Sequence, residues 1–236
     1  MTAPLSGNVA LVTGASRGLG AATAVELARL GAHVVITGRV QGGLEETDDT
    51  IRAIGGTATL IPLDLAEAET IDTLGPSIYE RFGRLDVLVH AAAALGVLTP
   101  VPHIQPKDFA AALAVNVTAT WRLIATCAPL LTAAPAGRAV FVTTARVRAP
   151  KAYWGIYGAT KAALEHFCQT WADETETTAL RVNLFDPGKM ATKLRRGAFP
   201  GEDQSVLPKP ADVAPQLAAL CLPDETRTGV LIRAGR

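Results

Sequence analysis

Seven short apolar runs, separated by longer segments of helical pattern, constrain this chain more than any other feature. The runs fall at 9–12, 34–37, 58–61, 87–89, 139–143, 181–185 and 230–232. Helix-patterned segments lie between and beside them at 19–30, 44–53, 67–82, 108–131, 157–174 and 211–221. Strands that are apolar nearly throughout, rather than at every second residue, belong to a sheet covered on both faces. Alternation of such strands with helices implies a doubly wound parallel sheet of about seven strands in three layers, α/β/α. Ligands are then expected beyond the carboxyl ends of the strands. With 236 residues, 49% of them hydrophobic, the chain can bury the core of one such domain. No repeat, low-complexity tract or linker divides it, so 1–236 is expected to be a single domain. The one long irregular stretch, 186–210, is rich in Gly, Pro and charge. It follows a strand's carboxyl end, where a segment of that length suits a substrate lid, expected around 189–210.

Charge narrows the partners. The 22 basic and 22 acidic residues cancel, leaving no overall field to recruit nucleic acid or an anionic membrane. The N-terminal residues carry neither a basic nor an apolar leader segment, and no later apolar run approaches the ~20 residues of a membrane span. Cys127, Cys168 and Cys221 lack paired spacing and read as buried thiols in a reducing compartment. A cytoplasmic protein is expected. His33, His103 and His166 are dispersed, and no His/Asp/Glu cluster has metal-ligand spacing, so no metal is expected.

The first strand runs into Thr13-Gly14-Ala15-Ser16-Arg17-Gly18-Leu19-Gly20 and then a helix. Glycines there permit a tight turn and close approach of backbone to a pyrophosphate, and the helix start supplies unpaired N–H groups. The spacing is not the Gly-x-x-x-x-Gly-Lys of a nucleotide triphosphatase, which argues against ATP hydrolysis. Further on, Tyr157 and Lys161 stand four residues apart, a spacing that stacks both on one helix face. A positive charge beside a phenol favours its ionised form, so Lys161 is expected to lower the Tyr157 pKa towards neutrality.

Together these motifs resemble the short-chain dehydrogenase/reductase family along essentially the whole chain. The residues that carry the resemblance are the glycine turn, Asp64-Leu65, Asn116, Tyr157 with Lys161, and Pro187-Gly188-Lys189-Met190-Ala191-Thr192. The resemblance implies a Rossmann-like fold and hydride transfer between a nicotinamide cofactor and an alcohol, ketone or aldehyde. It makes Tyr157 the general acid/base, Lys161 its tuner and ribose ligand, and Asn116 the holder of a proton-relay water. Gly14, Ser16, Arg17, Gly18, Leu19 and Gly20 would take the pyrophosphate side. Asp64, Leu65, His90 and Ala91 would line the adenosine side, with Pro187, Gly188 and Thr192 at the nicotinamide end.

Cofactor choice follows from the second strand. An NAD enzyme usually places an acidic residue there to bind the ribose hydroxyls, and here Gly38 leaves the space open. Arg39 follows it and Arg17 sits in the turn, so two guanidinium groups can converge on a 2′-phosphate. NADP is the expected cofactor, with NAD as the second possibility.

Two positions depart from the family pattern. Thr144 stands where a serine is usual; it keeps the hydroxyl, and its methyl group restricts χ1 and crowds the pocket. Strand alternation should send Thr143 the other way. His90-Ala91-Ala92-Ala93 replaces the usual Asn-Asn-Ala-Gly, so His90 is either a cofactor-side donor or a histidine packed at a strand end. These departures also admit a second reading, a nucleotide-binding sensor or scaffold with little turnover. Tyr153 and Trp154 fit a substrate pocket or the core, and Arg195 and Arg196 an acidic substrate or solvent. In this family the helices bearing Trp121 and Trp171 commonly form a homodimer or homotetramer interface.

Overall fold

The computed structural model describes residues 3–235. Seven strands form one parallel sheet in the order β3-β2-β1-β4-β5-β6-β7. They are β1 (Val9–Thr13), β2 (His33–Gly38), β3 (Thr57–Pro62), β4 (Val87–His90), β5 (Arg138–Val142), β6 (Arg181–Asp186) and β7 (Leu231–Arg233). Each lies within a residue or two of its sequence expectation, because a strand buried on both faces reads as an apolar run with sharp ends. From β1 the chain moves outward through β2 and β3, then returns to lay β4 on the other side of β1. The gap this reversal opens between the carboxyl ends of β1 and β4 is where such sheets bind ligands.

Helices cover both faces. On one, α1 (Gly18–Arg29), α2 (Gln41–Ala53) and α9 (Pro210–Ala219) pack Leu27, Ile51 and Leu217 against Ala10, Val12, Val34 and Ile36. On the other, α4 (Leu74–Phe82), α6 (Ala119–Ala133) and α7 (Gly155–Glu174) pack Ile78, Leu123 and Leu164 against Val9, Leu11, Val35 and Leu88. Successive strand residues thus serve opposite layers, as the two-residue period requires.

Three helical expectations change in detail. The segment 67–82 breaks into α3 (Ala68–Asp72) and α4 at Thr73. Pro76 has no N–H to offer the Asp72 carbonyl, which accepts instead the Thr126 hydroxyl at 2.9 Å. The segment 108–131 becomes α5 (Pro106–Leu113), a π-helical turn at Ala114–Thr118 and α6. By length and composition this 28-residue stretch could cross a membrane, contrary to the sequence expectation. Here it lays Ala119, Leu123, Cys127 and Leu131 into the core under the sheet. Lastly, the irregular 186–210 region contains a short helix, α8 (Lys193–Ala198).

Candidate active site

The glycine turn occupies the β1–β4 gap. Gly14 has φ +69, and a Cβ there would sit 2.8 Å from the backbone of Ala92, on the chain leaving β4. A Cβ on Gly20 would lie 2.4 Å from the Gly14 carbonyl oxygen, so the first turn of α1 folds directly onto β1. Ala15 N–H donates to Thr37 O at 3.0 Å, fastening the turn to β2. Gly43, in α2, went unrecognised in the sequence, although a Cβ there would lie 2.5 Å from Ser16 O. The N-cap residue of α1, Arg17, makes no side-chain cap hydrogen bond, so the first-turn N–H groups keep their capacity for an anion.

Beyond the turn lies a cavity of about 690 Å³. Its β2–β3 side is lined by Gly14, Ser16, Arg17, Gly18, Leu19, Gly20, Arg39, Asp64 and Leu65. Its β5–β6 side is lined by Thr144, Tyr157, Lys161, Pro187, Gly188 and Thr192, and Ala91 also borders the cavity. Arg39 is largely solvent-exposed, its guanidinium 3.9 Å from the Asp64 carboxylate.

Tyr157 and Lys161 lie one turn apart near the start of α7, and both are buried. The Lys161 ammonium donates to the Val142 carbonyl at 2.8 Å, where β5 ends. Burial pushes its pKa down to about 8. The Tyr157 phenol is pushed the other way, up to about 12, by burial first and by the negative charge of Asp186 second. This corrects the sequence expectation that Lys161 would lower the Tyr157 pKa. The same burial that brings the two together penalises both charged forms, and the phenol rests in its neutral, proton-donating state.

The two threonines point as alternation requires. Thr143 is buried and donates to Glu165, which also pairs with Arg148. Thr144 lines the cavity and accepts the Arg146 N–H at 3.3 Å. The buried Glu165, two turns after Tyr157, thereby ties the end of β5 to α7. Its spacing from Lys161 is visible in the sequence, but its partners are not.

Asn116 and His90 are brought together away from the cavity lining. Asn116 sits in the π-helical turn, accepting Ala94 N–H at 2.8 Å and donating to Ala94 O at 2.8 Å and Thr160 Oγ1 at 2.9 Å. Its side chain is therefore spent on holding the 91–95 loop to α7, rather than free to hold a relay water. His90 is fully buried, with Nδ1 2.7 Å from Thr13 Oγ1 and Nε2 3.2 Å from Thr120 Oγ1. The Thr120 hydroxyl gives its proton to Asn116 O, so His90 Nε2 donates to Thr120 and Nδ1 accepts from Thr13. Burial, and the Lys161 charge after it, push the His90 pKa down to about 3. His90 is thus a neutral brace between β1, β4 and α6. Its expected place among the cofactor contacts is corrected, because both ring nitrogens already have partners inside the core.

Of the aromatic pair, Trp154 lines the cavity and meets Tyr157 edge-on at 5.8 Å, whereas Tyr153 is exposed with φ +75. Arg195 is paired with Glu202 and lies 3.7 Å over the Phe199 ring, so it is engaged within its own segment. Trp171 packs against Phe141 in the core, leaving Trp121 as the exposed one of the two helix tryptophans. No cluster of three metal-ligating side chains occurs among the described residues.

An anion-ready glycine turn at the switch point and a buried phenol and ammonium further along the same cleft define an oxidoreductase site of the dinucleotide-binding kind. The short chain dehydrogenase family pattern matches residues 8–203, and the chain belongs to that family. It is similar to the uncharacterized oxidoreductase YciK of Escherichia coli K12, 36% identical across 98% of this chain and 92% of that protein. A short chain dehydrogenase structure from Pseudomonas syringae superposes with TM-score 0.95 at 38% identity, covering 99% of this chain and 97% of that one. Another, from Shigella flexneri and complexed with NADP, gives TM-score 0.94 at 34% identity over 100% of both chains.

Proposed function

We propose that this protein is an NADP-dependent oxidoreductase that interconverts an alcohol and a carbonyl group. The observation that carries the reading is the burial of Tyr157 and Lys161 together in the cavity that begins at the glycine turn. A dinucleotide fits the residues present. The turn keeps a backbone shape that a Cβ at Gly14 or Gly20 would disrupt by striking the Ala92 backbone or the Gly14 carbonyl, and Arg17 and Arg39 border its adenosine side, with Gly38 ending β2 just before Arg39. The NADP held by the Shigella relative supports the same choice. Gly14 to Gly20 would take the pyrophosphate, Arg17 and Arg39 the 2′-phosphate, Asp64 and Leu65 the adenine, and Pro187, Gly188 and Thr192 the nicotinamide end. When bound, the nicotinamide supplies or accepts hydride.

The protein's own contribution is positioning and proton transfer. In the reducing direction Thr144 donates a hydrogen bond to the substrate carbonyl oxygen, drawing electron density from carbon. Tyr157, neutral at working pH, gives its proton to that oxygen as charge develops there. Lys161 supplies the positive charge that steadies the phenolate left behind and the ribose beside it. Asn116 acts at one remove, by fixing the loop that borders the cavity. Trp154 gives the substrate an apolar wall, and the segment 189–210 closes over it as a lid. The reading extends to a cytoplasmic homo-oligomer, consistent with three buried free thiols and with exposed Trp121 and Phe167 on the long helices.

Turnover of a panel of ketones, aldehydes and secondary alcohols with NADPH or NADP tests this reading. The expected result is oxidation of NADPH with at least one carbonyl, lost in Tyr157→Phe. Binding of NADPH with no turnover in either protein would overturn it and favour a sensor.

A further inference from the structure

The cavity has two carboxylates, and they stand on opposite sides. Asp64 borders the glycine-turn side with Arg39 beside it. Asp186 closes β6 on the side of Tyr157, buried, with Oδ1 accepting the Gly188 N–H at 3.1 Å. It joins no ion pair among the described residues. In the sequence it is only the residue before Pro187-Gly188, and nothing in its spacing marks it.

We propose that Asp186 sets the redox poise of the site. Its carboxylate, fixed at the Tyr157 end of the cavity, favours the positively charged oxidised nicotinamide over the neutral reduced ring, and so biases the protein towards reducing carbonyls. This inference rests on the oxidoreductase reading above. A fixed charge in a partly desolvated cleft discriminates between a cation and a neutral ring of the same shape, which is the difference between the two cofactor forms. The same charge acts on Tyr157, adding to burial in holding the phenol protonated. A loaded proton donor and a stabilised oxidised cofactor both belong to the reducing direction.

Other charges share this end of the cavity. Lys161 comes from α7, Arg146 from the turn after β5, and Lys189, Lys193 and Arg195 from the segment after β6. Arg233 stands opposite Asp186 in the β6–β7 register. The Lys161 ammonium is turned to Val142 O and Arg195 is held by Glu202, so neither neutralises Asp186 by direct pairing. Burial with one oxygen fixed by backbone holds the carboxylate in place without cancelling its charge.

Asp186→Asn keeps the oxygen that accepts the Gly188 N–H and removes the charge. NADP and NADPH dissociation constants, measured by fluorescence titration on wild type and variant, give the ratio of affinities for the two forms. The expected result is a ratio shifted about tenfold against NADP in the variant. Tyrosinate absorbance, read as the difference from Tyr157→Phe, should show the phenol titrating lower than in wild type. Asp186→Ser, which also keeps an acceptor at the turn, provides the same comparison if the amide disturbs folding. An unchanged ratio would overturn the proposal. Turnover with an unchanged ratio keeps the oxidoreductase reading and removes the role of Asp186; a shifted ratio with no turnover does the reverse.

Discussion

At the glycine-turn side of the cleft the protein presents backbone, and at the Tyr157 side it presents ionisable side chains taken out of water. Gly14 and Gly20 matter for the atoms they lack, since a Cβ at either would collide with backbone within 3 Å. Tyr157, Lys161 and Asp186 matter for protons and charges whose energies depend on burial. The first side is a shape that many sequences with the same glycines would share. The second is an electrostatic balance that one substitution can tip. Binding should therefore fail through the first and chemistry through the second, and the two should separate experimentally.

The largest effect is expected at the side-chain end. Tyr157→Phe should lower turnover by about 10²–10⁴-fold, the usual worth of a positioned general acid, while NADPH affinity stays near wild type in a fluorescence titration. If affinity falls as far as turnover, the two sides are not separable. Arg39→Asp probes the other side: losing a charge-assisted contact worth about 1.5–3 kcal/mol should weaken NADP binding by roughly 10- to 150-fold, with NAD binding spared. Unchanged NADP affinity would show that the 2′-phosphate is held elsewhere.

The pH dependence sharpens the contrast further. Lys161, lowered to about 8 by burial, is charged below that pH and sheds its proton above it. Carbonyl reduction should therefore fall as pH rises through about 8, by up to tenfold per unit, while cofactor dissociation constants change less. Lys161→Arg should move this limb to higher pH, since guanidinium stays protonated. In stability the sign is the opposite: the unfolded chain binds the Lys161 proton more tightly, so this group favours folding increasingly from about pH 8 upward until the unfolded lysine also titrates. Gly20→Ala should act through shape alone, costing about 1–3 kcal/mol by overpacking and lowering the thermal midpoint by a few degrees. Thr144→Ser should have the smallest effect: the hydroxyl remains, turnover persists, and bulkier ketones gain access as the methyl group leaves.

The sheet was legible because its strands are buried on both faces, and the glycine turn because its spacing encodes a backbone shape. Tyr157 and Lys161 were legible as a pair, since four residues bring two side chains together on any helix. What they do to each other was not, because a pKa follows from burial and from Asp186, and both arise only when β6 is laid beside β5. The same limit hid the partners of His90. Thr13 is 77 residues away from it, and only the β1–β4 pairing makes the histidine a brace. The break at Thr73 is a milder case: the expected helix 67–82 did not take Pro76 into account, and the Thr126 hydroxyl that takes over the Asp72 carbonyl comes from α6.

The central claim, that this cleft transfers hydride with Tyr157 supplying the proton, is tested most directly by isotope. The protein is incubated with NADPH carrying deuterium at the reactive nicotinamide carbon and with the carbonyl panel, and the alcohols are read by mass spectrometry. The account predicts one deuterium on the former carbonyl carbon of at least one product, and almost none at equal times with Tyr157→Phe. Cofactor bound by both proteins with no deuterium in any product, or equal incorporation by both, would contradict it.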